Sequence, residues 1–319
     1  MSSQTFWNDY PAVQAAINRR LSGEATRNYL GAFQQAMHGR RFGRGLFINC
    51  GNGWVEREFI ERGIVASAVG VDGSEEMLAQ ARTAGAGLPL RYERFDINNP
   101  SFPDARYDLI VNYAAANSVL AVDRLMRLLC RSLTADGFIL SYDYVGPHRH
   151  QYTYGAWEAV VRVNESLPTE TRAELHYPHL PMMLAGDRAE AAHSELVLST
   201  YDRYFTRDVF RSAGGALAYP LLTFNEAMRE APAPVRDAAL ETVLTADTNF
   251  LTDHPHSGLF AYWYGRAKSE VLEDAPLLDI WTEIERLRED AALAGDGTYY
   301  PSTLLQRLMF DRRGTGAEA

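Results

Sequence analysis

The sequence predicts an α/β fold with a mainly parallel sheet, and three observations support this prediction. Short apolar runs typical of buried strands alternate with amphipathic helical patterns between residues 45 and 145. A turn that contains Gly51 and Gly53 joins the first strand to the first of these helices. An acidic residue, Asp72, ends the second strand. Strands that alternate with helices in this way form parallel sheets with right-handed crossovers.

The predicted elements follow the chain in a regular order. Strands are predicted at 45–48, 66–71, 90–96, 107–112 and 138–145, with helices at 54–62, from 74 onward and at 119–133. Before them, residues 1–40 carry apolar side chains at helical spacing and predict an N-terminal helical cap.

The second half of the chain is predicted to be less regular. It contains a helical insertion around 148–205, short strands at 206–212 and 217–222, a helix at 233–251 and an aromatic strand at 258–264. The remainder, 269–319, is predicted to be a C-terminal helical extension with an amphipathic helix at 277–293. The predicted organisation is a cap at 1–40, a ligand-binding α/β domain at 41–268 and this extension.

Composition and charge narrow the class of protein. The chain has 319 residues, 46% of them hydrophobic and 23% charged, which is ordinary for a globular protein. With 31 basic and 41 acidic side chains its net charge is −10, which argues against a nucleic-acid partner. No apolar run is long enough for a membrane span, and the N-terminus lacks a signal-peptide pattern, so a cytoplasmic protein is expected. The two cysteines, Cys50 and Cys130, are expected to be buried and reduced.

The stretch from Gly45 to Asp72 predicts a nucleoside-binding site. A strand that leads through a glycine-containing turn into a helix directs backbone N–H groups and a positive dipole end toward a ligand. An acid about 20 residues beyond the turn suits the two hydroxyls of a ribose. The alternative for Asp72 is a solvated acid at the end of a strand.

Residues beyond the turn distinguish between nucleotide ligands. A dinucleotide fingerprint requires a small residue three positions after the second glycine, where this chain has Glu56. A phosphate-binding loop would require Gly-Lys-Ser/Thr, which is absent. S-adenosylmethionine (SAM) remains, with Asp72 on its ribose and Asp96 near its adenine amine, although Asp96 could equally form a plain Asx turn.

Several segments of the sequence together resemble class I SAM-dependent methyltransferases. They are, in order, FWNDYPAVQAAINRRLSG, INCGNGWVEREFIERG, VGVDGSEEMLAQAR, YDLIVN and YDYVGPHRHQYT. The pattern resembles in particular a bacterial group with an N-terminal cap helix and a YVGP segment after the fifth strand. The segments GDRAEAAHSE and GLFAYWYGRAK extend the resemblance over roughly residues 6 to 268.

The resemblance implies a Rossmann-like, seven-stranded sheet with a terminal hairpin strand at 258–266 and SAM as the cofactor. It places SAM under the 49–53 turn, with the ribose on Asp72, adenine beside Asp96 and Ile97, and methionine beside Asn112 and Tyr113. The complete set of candidates in this domain is Asn49, Gly51, Gly53, Asp72, Gly73, Met77, Asp96, Ile97, Asn112 and Tyr113.

Two further candidates lie in the cap. Tyr10 and Arg19 could close over the methionine end of SAM, since a guanidinium pairs readily with a carboxylate. The alternative for Arg19 is a solvated helix face.

The chain departs from the family pattern at three places. Asn49 replaces the first glycine of the turn, and asparagine tolerates positive φ better than other residues with a Cβ. Phe47 stands where the family often has an acid. Residues 114–118 stand where the family often has a pair of histidines, so a usual general-base candidate is missing.

Catalytic candidates follow the fourth and fifth strands, because ligands of open parallel sheets bind at the carboxyl ends of the strands. They are Asn117, Tyr144, His148 and Arg149, with Gln151 on the substrate side and His150 as an alternative to His148. The remaining histidines lack ligand spacing, and no metal site is predicted.

Three functions fit these patterns. The first is methyl transfer to a small-molecule acceptor, with oxygen favoured as the attacked atom. The second is cyclisation of SAM alone to azetidine-2-carboxylate and methylthioadenosine, with aromatic rings holding the sulfonium and Asn117 or Ser118 placing the amine, as in azetidine-carboxylate synthases. The third is that the protein binds SAM without catalysing a reaction. The altered turn at Asn49 is the observation that suggests this function. Residues 269–319 could also form a homodimer arm.

Overall fold

A seven-stranded sheet forms the centre of the protein. The computed structural model describes residues 5–98, 106–186 and 189–268. The strands are β1 (Phe42–Ile48), β2 (Val65–Asp72), β3 (Leu90–Arg94), β4 (Tyr107–Tyr113), β5 (Leu133–Tyr144), β6 (Val209–Gly214) and β7 (Phe260–Gly265). They lie in the order β3-β2-β1-β4-β5-β7-β6. Strands β1 to β5 pair in parallel, whereas β7 runs antiparallel to both β5 and β6. The predicted Rossmann-like, mainly parallel sheet is therefore confirmed, and β7 makes its orientation mixed.

Helices cover both faces of the sheet. They are α1 (Pro11–Ser22), α2 (Tyr29–Ala36), α3 (Trp54–Glu61), α4 (Glu75–Ala84), α5 (Val122–Ser132), α6 (Tyr154–Ser166), α7 (Leu180–Gly186), α8 (Val197–Tyr204), α9 (Ala218–Leu222), α10 (Glu226–Glu230) and α11 (Ala233–Asp253). Phe33 of α2, Phe59 of α3 and Val243 of α11 share one buried core, and Leu125 of α5 and Tyr201 of α8 share another.

The alternation of side chains along β1 explains why the strand is apolar throughout. Leu46 and Ile48 belong to the core beneath α5 and α8, whereas Phe47 belongs to the core beneath α2 and α3. Successive side chains of a strand point to opposite faces, so a strand covered on both sides is apolar at nearly every position. The apolar runs in the sequence therefore indicate the three-layer arrangement directly.

One predicted element was wrong, one begins three residues later than predicted, and one lies outside the described residues. The strand predicted at 217–222 is the helix α9, because Asp247 accepts hydrogen bonds from the backbone N–H groups of Leu217 (2.8 Å) and Ala218 (3.2 Å) and so caps a helix start. The helix predicted from 119 begins at Val122, after a separate 3₁₀ turn at Ala116–Ser118. The helix predicted at 277–293 is not among the described residues.

The N-terminal segment packs beside the late strands of the sheet. The ring of Trp7 stacks on Phe260 of β7 at 5.0 Å between centroids, and Arg20 of α1 pairs with Asp247 of α11 at 3.3 Å. In the part of the chain that the structure describes, no helix combines the length and apolar character needed to cross a bilayer.

Candidate cofactor and acceptor site

The turn between β1 and α3 lies at the carboxyl end of the parallel strands. Asn49, Gly51 and Gly53 all have positive φ angles, of 48°, 55° and 78°. The expectation that Asn49 adopts the conformation of the missing glycine is confirmed. The backbone N–H of Cys50 donates to the carbonyl of Val71 at 3.0 Å, which anchors the turn to the end of β2.

Asp72 joins this turn to the start of α4. Its Oδ2 accepts a hydrogen bond from the N–H of Gly51, and its Oδ1 accepts one from the N–H of Ser74, both at 2.8 Å. Each carboxylate oxygen has a second lone pair, so the partly exposed Asp72 can also accept hydrogen bonds from the two hydroxyls of a ribose.

Two adjoining clefts border the turn, and Asn49 lines both. The first, of about 300 Å³, is lined among others by Gly51, Trp54, Met77 and Tyr113. The second, of about 350 Å³, is lined by Asn49, Gly73, Arg94, Phe95, Asp96 and Ile97. Tyr113, predicted for methionine, therefore lines one cleft, whereas Asp96 and Ile97, predicted for adenine, line the other.

Asp96 and Ile97 form the adenine end of the second cleft. Ile97 is buried and offers an apolar surface, whereas Asp96 is exposed. Asp96 Oδ1 accepts a hydrogen bond from the N–H of Asn98 at 3.0 Å, so the Asx turn is present as well. Its second carboxylate oxygen has no such role among the described contacts and can accept from an amine.

Four rings, Tyr29, Tyr113, Tyr142 and Trp54, form an aromatic wall, and two of them, Tyr113 and Trp54, line the first cleft. Tyr113 stacks on Tyr142 at 5.4 Å between ring centroids and meets Trp54 edge-on at 5.2 Å. Tyr29 of α2 lies 5.3 Å from Tyr113. Ring faces attract a cation such as a sulfonium. Sequence patterns did not single out Tyr29, because helical spacing marks it only as a core residue.

Asp143, which the sequence did not single out, organises the loop between β4 and α5. This fully buried carboxylate accepts hydrogen bonds from the side-chain amides of Asn112 (2.9 Å) and Asn117 (2.5 Å) and from the N–H groups of Ala116 (2.9 Å) and Tyr144 (2.8 Å). Burial raises the pKa of Asp143 to about 6, against the effect of these donors. The carboxylate is ionised at neutral pH and fixes the loop beside the cleft.

This network corrects the roles predicted for Asn112 and Asn117. The Asn112 side chain is fully buried and bonded to Asp143, so it supports the loop, and Tyr113 is the residue that lines the cleft. The Asn117 amide is bonded to Asp143, and the Ser118 hydroxyl donates to Asn117 Oδ1 at 3.0 Å. Both side chains hold the loop in place, because a buried carboxylate requires donors.

The two cap candidates, Tyr10 and Arg19, line neither cleft. Tyr10 is buried, and its nearest charges include Arg236 and Arg229, at the start of α11 and in α10. Arg19 is exposed on α1, which packs beside β6. The prediction failed because helical spacing locates a face of α1 but not the strand on which it packs. From the cap, Tyr29 of α2 contacts the cleft residue Tyr113.

The segment after β5 is compact and strained. Arg149 and His150 have positive φ angles of 50° and 53°, which residues with a Cβ seldom adopt. The Tyr144 hydroxyl donates to the carbonyl of Pro147 at 3.3 Å, and the amide of Gln151 donates to the carbonyl of Pro178 at 3.0 Å. The guanidinium of Arg149 is fully buried and donates to the carbonyl of Glu190 at 3.2 Å. Arg149 and Gln151 therefore hold the loop through backbone carbonyls.

The two histidines of this segment have different surroundings. His148 Nδ1 contacts the carbonyl oxygen of Ala192, whereas His150 Nε2 lies 3.1 Å from Glu190 Oε1. Donor atoms of His148, His193 and Glu195 lie within 4.8 Å of one another. Each of these three residues also takes part in further interactions, so we assign no metal to them.

Glu56 lies beneath the turn, where a small residue was expected for a dinucleotide site. It is fully buried at the third position of α3, and neither carboxylate oxygen has a hydrogen-bond partner among the described residues. Burial raises the pKa of Glu56 to about 7. Burial also raises the pKa of the adjacent Cys50 thiol, which therefore stays protonated and is no nucleophile.

Replacing Glu56 by glutamine is expected to remove a pH dependence of folding. The Glu56 pKa rises from 4.5 in the unfolded chain to about 7 in the fold, so the wild-type free energy of unfolding falls as pH rises through this window. The fall amounts to about 3 kcal/mol. Urea unfolding at pH values across this window measures it. As pH rises through the window, the free energy of unfolding of E56Q minus that of wild type should grow by that amount. Asp143 titrates in both proteins, so its contribution cancels in this difference. A difference that stays constant with pH would contradict the assignment.

Comparisons with known proteins agree with the geometry. Residues 46–141 match the family model described as a methyltransferase domain. No curated protein sequence matches the chain. Among solved structures, a SAM-dependent methyltransferase from Mesorhizobium loti is 20% identical, with 75% of this chain and 97% of that chain covered and a TM-score of 0.47.

Two further solved structures are similar at lower identity. Phosphoethanolamine N-methyltransferase 2 from Haemonchus contortus, in complex with SAM, is 13% identical, with 80% of this chain and 56% of that chain covered and a TM-score of 0.47. A putative SAM-dependent methyltransferase from Listeria monocytogenes is 16% identical, with 71% and 90% covered and a TM-score of 0.42. Because their TM-scores are below 0.5, we assign no function from these similarities. The assignment rests on the domain match and on the clefts.

The clefts suit SAM on three counts. Asp72 suits the ribose hydroxyls, Ile97 offers an apolar surface to adenine, and the rings of Trp54 and Tyr113 suit the sulfonium. The matched segment contains the turn, Asp72, Asp96 and Tyr113. Residues 46–141 thus match a methyltransferase domain, and the clefts that this segment lines suit S-adenosylmethionine as the cofactor.

Proposed function

We propose that this protein transfers a methyl group from SAM to a small-molecule acceptor, with oxygen as the attacked atom. One observation carries the acceptor side of the proposal. The aromatic wall continues from the cofactor cleft along β5 to a second group of rings at the end of that strand. Tyr142 and Tyr144 lie on the same side of β5, and both contact Phe260, at 6.4 and 5.4 Å between ring centroids. The net charge of −10 supports a small molecule over a nucleic acid.

Bound SAM supplies an electrophilic methyl carbon attached to a sulfonium. Asp72 and the 49–53 turn would hold the nucleoside, and the aromatic wall would fix the sulfonium end while it excludes water. The Asp143 network keeps residues 113–118 at a fixed position beside the cleft. The protein then has to align an acceptor behind the methyl carbon and remove its proton.

Cyclisation of SAM alone is the second candidate, and the aromatic wall is the observation that favours it. The rings would hold the sulfonium in either reaction. This candidate also requires a polar group to place the amine, and Asn117 and Ser118 were expected in that role. Both side chains are engaged in the Asp143 network, so methyl transfer accounts for more of the site.

The proposal of SAM binding without catalysis has less support. It was based on the replacement of the first glycine of the turn by Asn49. Asn49 has the left-handed conformation that glycine would supply, so the replacement does not alter the turn. We retain the homodimer as a prediction only, because residues 269–319 are not among those described.

Incubation with SAM tests the proposed function directly. We expect S-adenosylhomocysteine when SAM is supplied with a small-molecule extract of cells, and no product from SAM alone, because methyl transfer requires an acceptor. Mass spectrometry of the adenosyl products measures both. Methylthioadenosine from SAM alone would favour cyclisation and overturn methyl transfer, and the absence of any product would favour binding without catalysis. Omission of the protein is the control for spontaneous SAM breakdown.

A further inference from the structure

We infer that His150 and Glu190 form the proton-accepting pair of the acceptor site and that the acceptor is a hydroxyl carried on a flat aromatic ring. The inference deepens the proposed function and rests on it. It identifies the base that the loop after β4 does not supply.

The geometry assigns a different role to each ring nitrogen of His150. Nε2 lies 3.1 Å from Glu190 Oε1, and because a carboxylate only accepts, Nε2 carries the hydrogen of this bond. Nδ1 is then the basic nitrogen. It is buried and has no hydrogen-bond partner among the described residues. A carboxylate on one side of an imidazole fixes its tautomer and stabilises the imidazolium that forms when the other nitrogen takes a proton.

The other two candidate bases are less suited. His148 Nδ1 contacts the carbonyl oxygen of Ala192, and its imidazole lies 6.1 Å from that of His193, whereas His150 pairs with the Glu190 carboxylate at 3.1 Å. Burial raises the pKa of Tyr144 well above its ordinary value, and its hydroxyl donates to a backbone carbonyl. Tyr144 therefore remains protonated, and its ring supports His150 instead.

The surroundings of His150 define the class of acceptor. Its imidazole meets the Tyr144 ring at 4.7 Å, nearly edge-on, and lies 5.8 Å from Tyr219 and 6.3 Å from Tyr152. Tyr152 in turn stacks on Trp157 at 5.7 Å with an angle of 13° between the rings. Flat aromatic molecules pack on such rings by offset stacking or edge-to-face contact. A phenolic hydroxyl is also acidic enough for an imidazole to deprotonate as the new bond forms.

The backbone holds this imidazole in place at some cost. His150 has a φ of 53°, and its N–H donates to the carbonyl of Pro147 at 3.1 Å, while the preceding N–H donates to Ala191 at 2.8 Å. Residues with a Cβ seldom adopt this conformation, and such conformations cluster at functional sites.

The proposed step balances as a substitution at carbon. The phenolic oxygen forms a bond to the methyl carbon, the carbon–sulfur bond breaks, and sulfur keeps the electron pair as a neutral thioether. The phenolic proton moves to His150 Nδ1, and Glu190 stabilises the resulting imidazolium. The proton leaves to solvent after the product departs.

The test compares variants on a simple phenol and on 4-nitrophenol, which is already ionised near pH 8. For His150→Gln we expect kcat with phenol to fall by about 100-fold or more with little change in KM, because a general base acts in the transition state. The loss should be much smaller with 4-nitrophenol, which needs no base. Glu190→Gln should lower kcat with phenol by about tenfold, since it acts through His150.

His176→Gln is the matched control. His176 Nε2 also lies 3.1 Å from a carboxylate, that of Glu174, but both side chains are exposed. We expect no change of kcat in this variant and unchanged SAM affinity by calorimetry in every variant. The side chain of Glu190 is 46% exposed, so E190Q is expected to fold even if H150Q does not.

The outcomes separate the two proposals. If cell extract yields S-adenosylhomocysteine but neither phenol does, the inference fails while the proposed methyl transfer stands. If wild type methylates phenol and both H150Q and E190Q match H176Q, the base assignment is overturned. Equal losses on phenol and 4-nitrophenol would indicate a packing role and overturn it as well. A selective loss on phenol supports the inference.

Discussion

Asp143→Asn is expected to lower the free energy of unfolding by about 3 kcal/mol and to weaken SAM binding. Each carboxylate oxygen of Asp143 accepts two hydrogen bonds. An asparagine in either orientation would direct its NH₂ group at two donors. At neutral pH the buried carboxylate is ionised, since its pKa is raised only to about 6, so all four bonds exist in the wild type. Urea unfolding and SAM calorimetry at pH 7.5 measure the two effects.

Asp247→Asn provides the matched control for this prediction. Asp247 is also buried and accepts from the N–H groups of Gly215, Leu217 and Ala218 and from Arg20, but it caps α9 and lines neither cleft. We expect a comparable loss of stability with normal SAM affinity. If both variants bind SAM as wild type does, the Asp143 network does not position the cofactor site.

Gly53→Ala is expected to lower the free energy of unfolding by about 2–4 kcal/mol. It is also expected to weaken SAM binding by about tenfold or more. Gly53 has a φ of 78°, and a Cβ there would lie 2.5 Å from the Tyr92 hydroxyl oxygen and 2.9 Å from Glu56 Oε1. Tyr92 and Glu56 pack beneath the turn, so relief of the contact has to move these side chains or the turn. Urea unfolding and SAM titration measure the two losses.

Gly63→Ala separates backbone strain from steric contact. Gly63 has a φ of 68°, yet a Cβ there would meet no atom within 4 Å. We expect this variant to lose only about 1 kcal/mol of stability and no SAM affinity. Equal losses in the two variants would show that the contact with Tyr92 and Glu56 is unimportant.

Local patterns in the sequence predicted the backbone conformation and the arrangement of residues in the cofactor half of the candidate site. Left-handed conformations at Asn49 and Gly51, and the position of Asp72 at the end of β2, follow from residue type and spacing over short distances. The apolar runs indicated the sheet, because a strand buried on both faces has few polar positions. The late strand 217–222 was mistaken because a distant residue, Asp247, turns that segment into a helix.

Tertiary structure decided the rest of the site. Asp143 and Asn117 are 26 residues apart in the chain, and His150 and Glu190 are 40 apart. Neither pair has a spacing that a helix or strand would reveal, so their contact depends on how whole elements pack. Tyr29, rather than Tyr10 or Arg19, reaches the aromatic wall for the same reason.

The sequence by itself determined the α/β class, and it predicted the cofactor and the residues that would bind it on either side of the glycine turn. These follow from hydrophobic periodicity and turn chemistry, which act between neighbours in the chain. Only the tertiary structure showed that Asn112 and Asn117 serve a buried carboxylate and that His150 pairs with Glu190. The physical reason is that a buried polar side chain is stable only when it is hydrogen-bonded or paired. Its partners here come from elements that are distant in the sequence, so its role depends on how those elements pack.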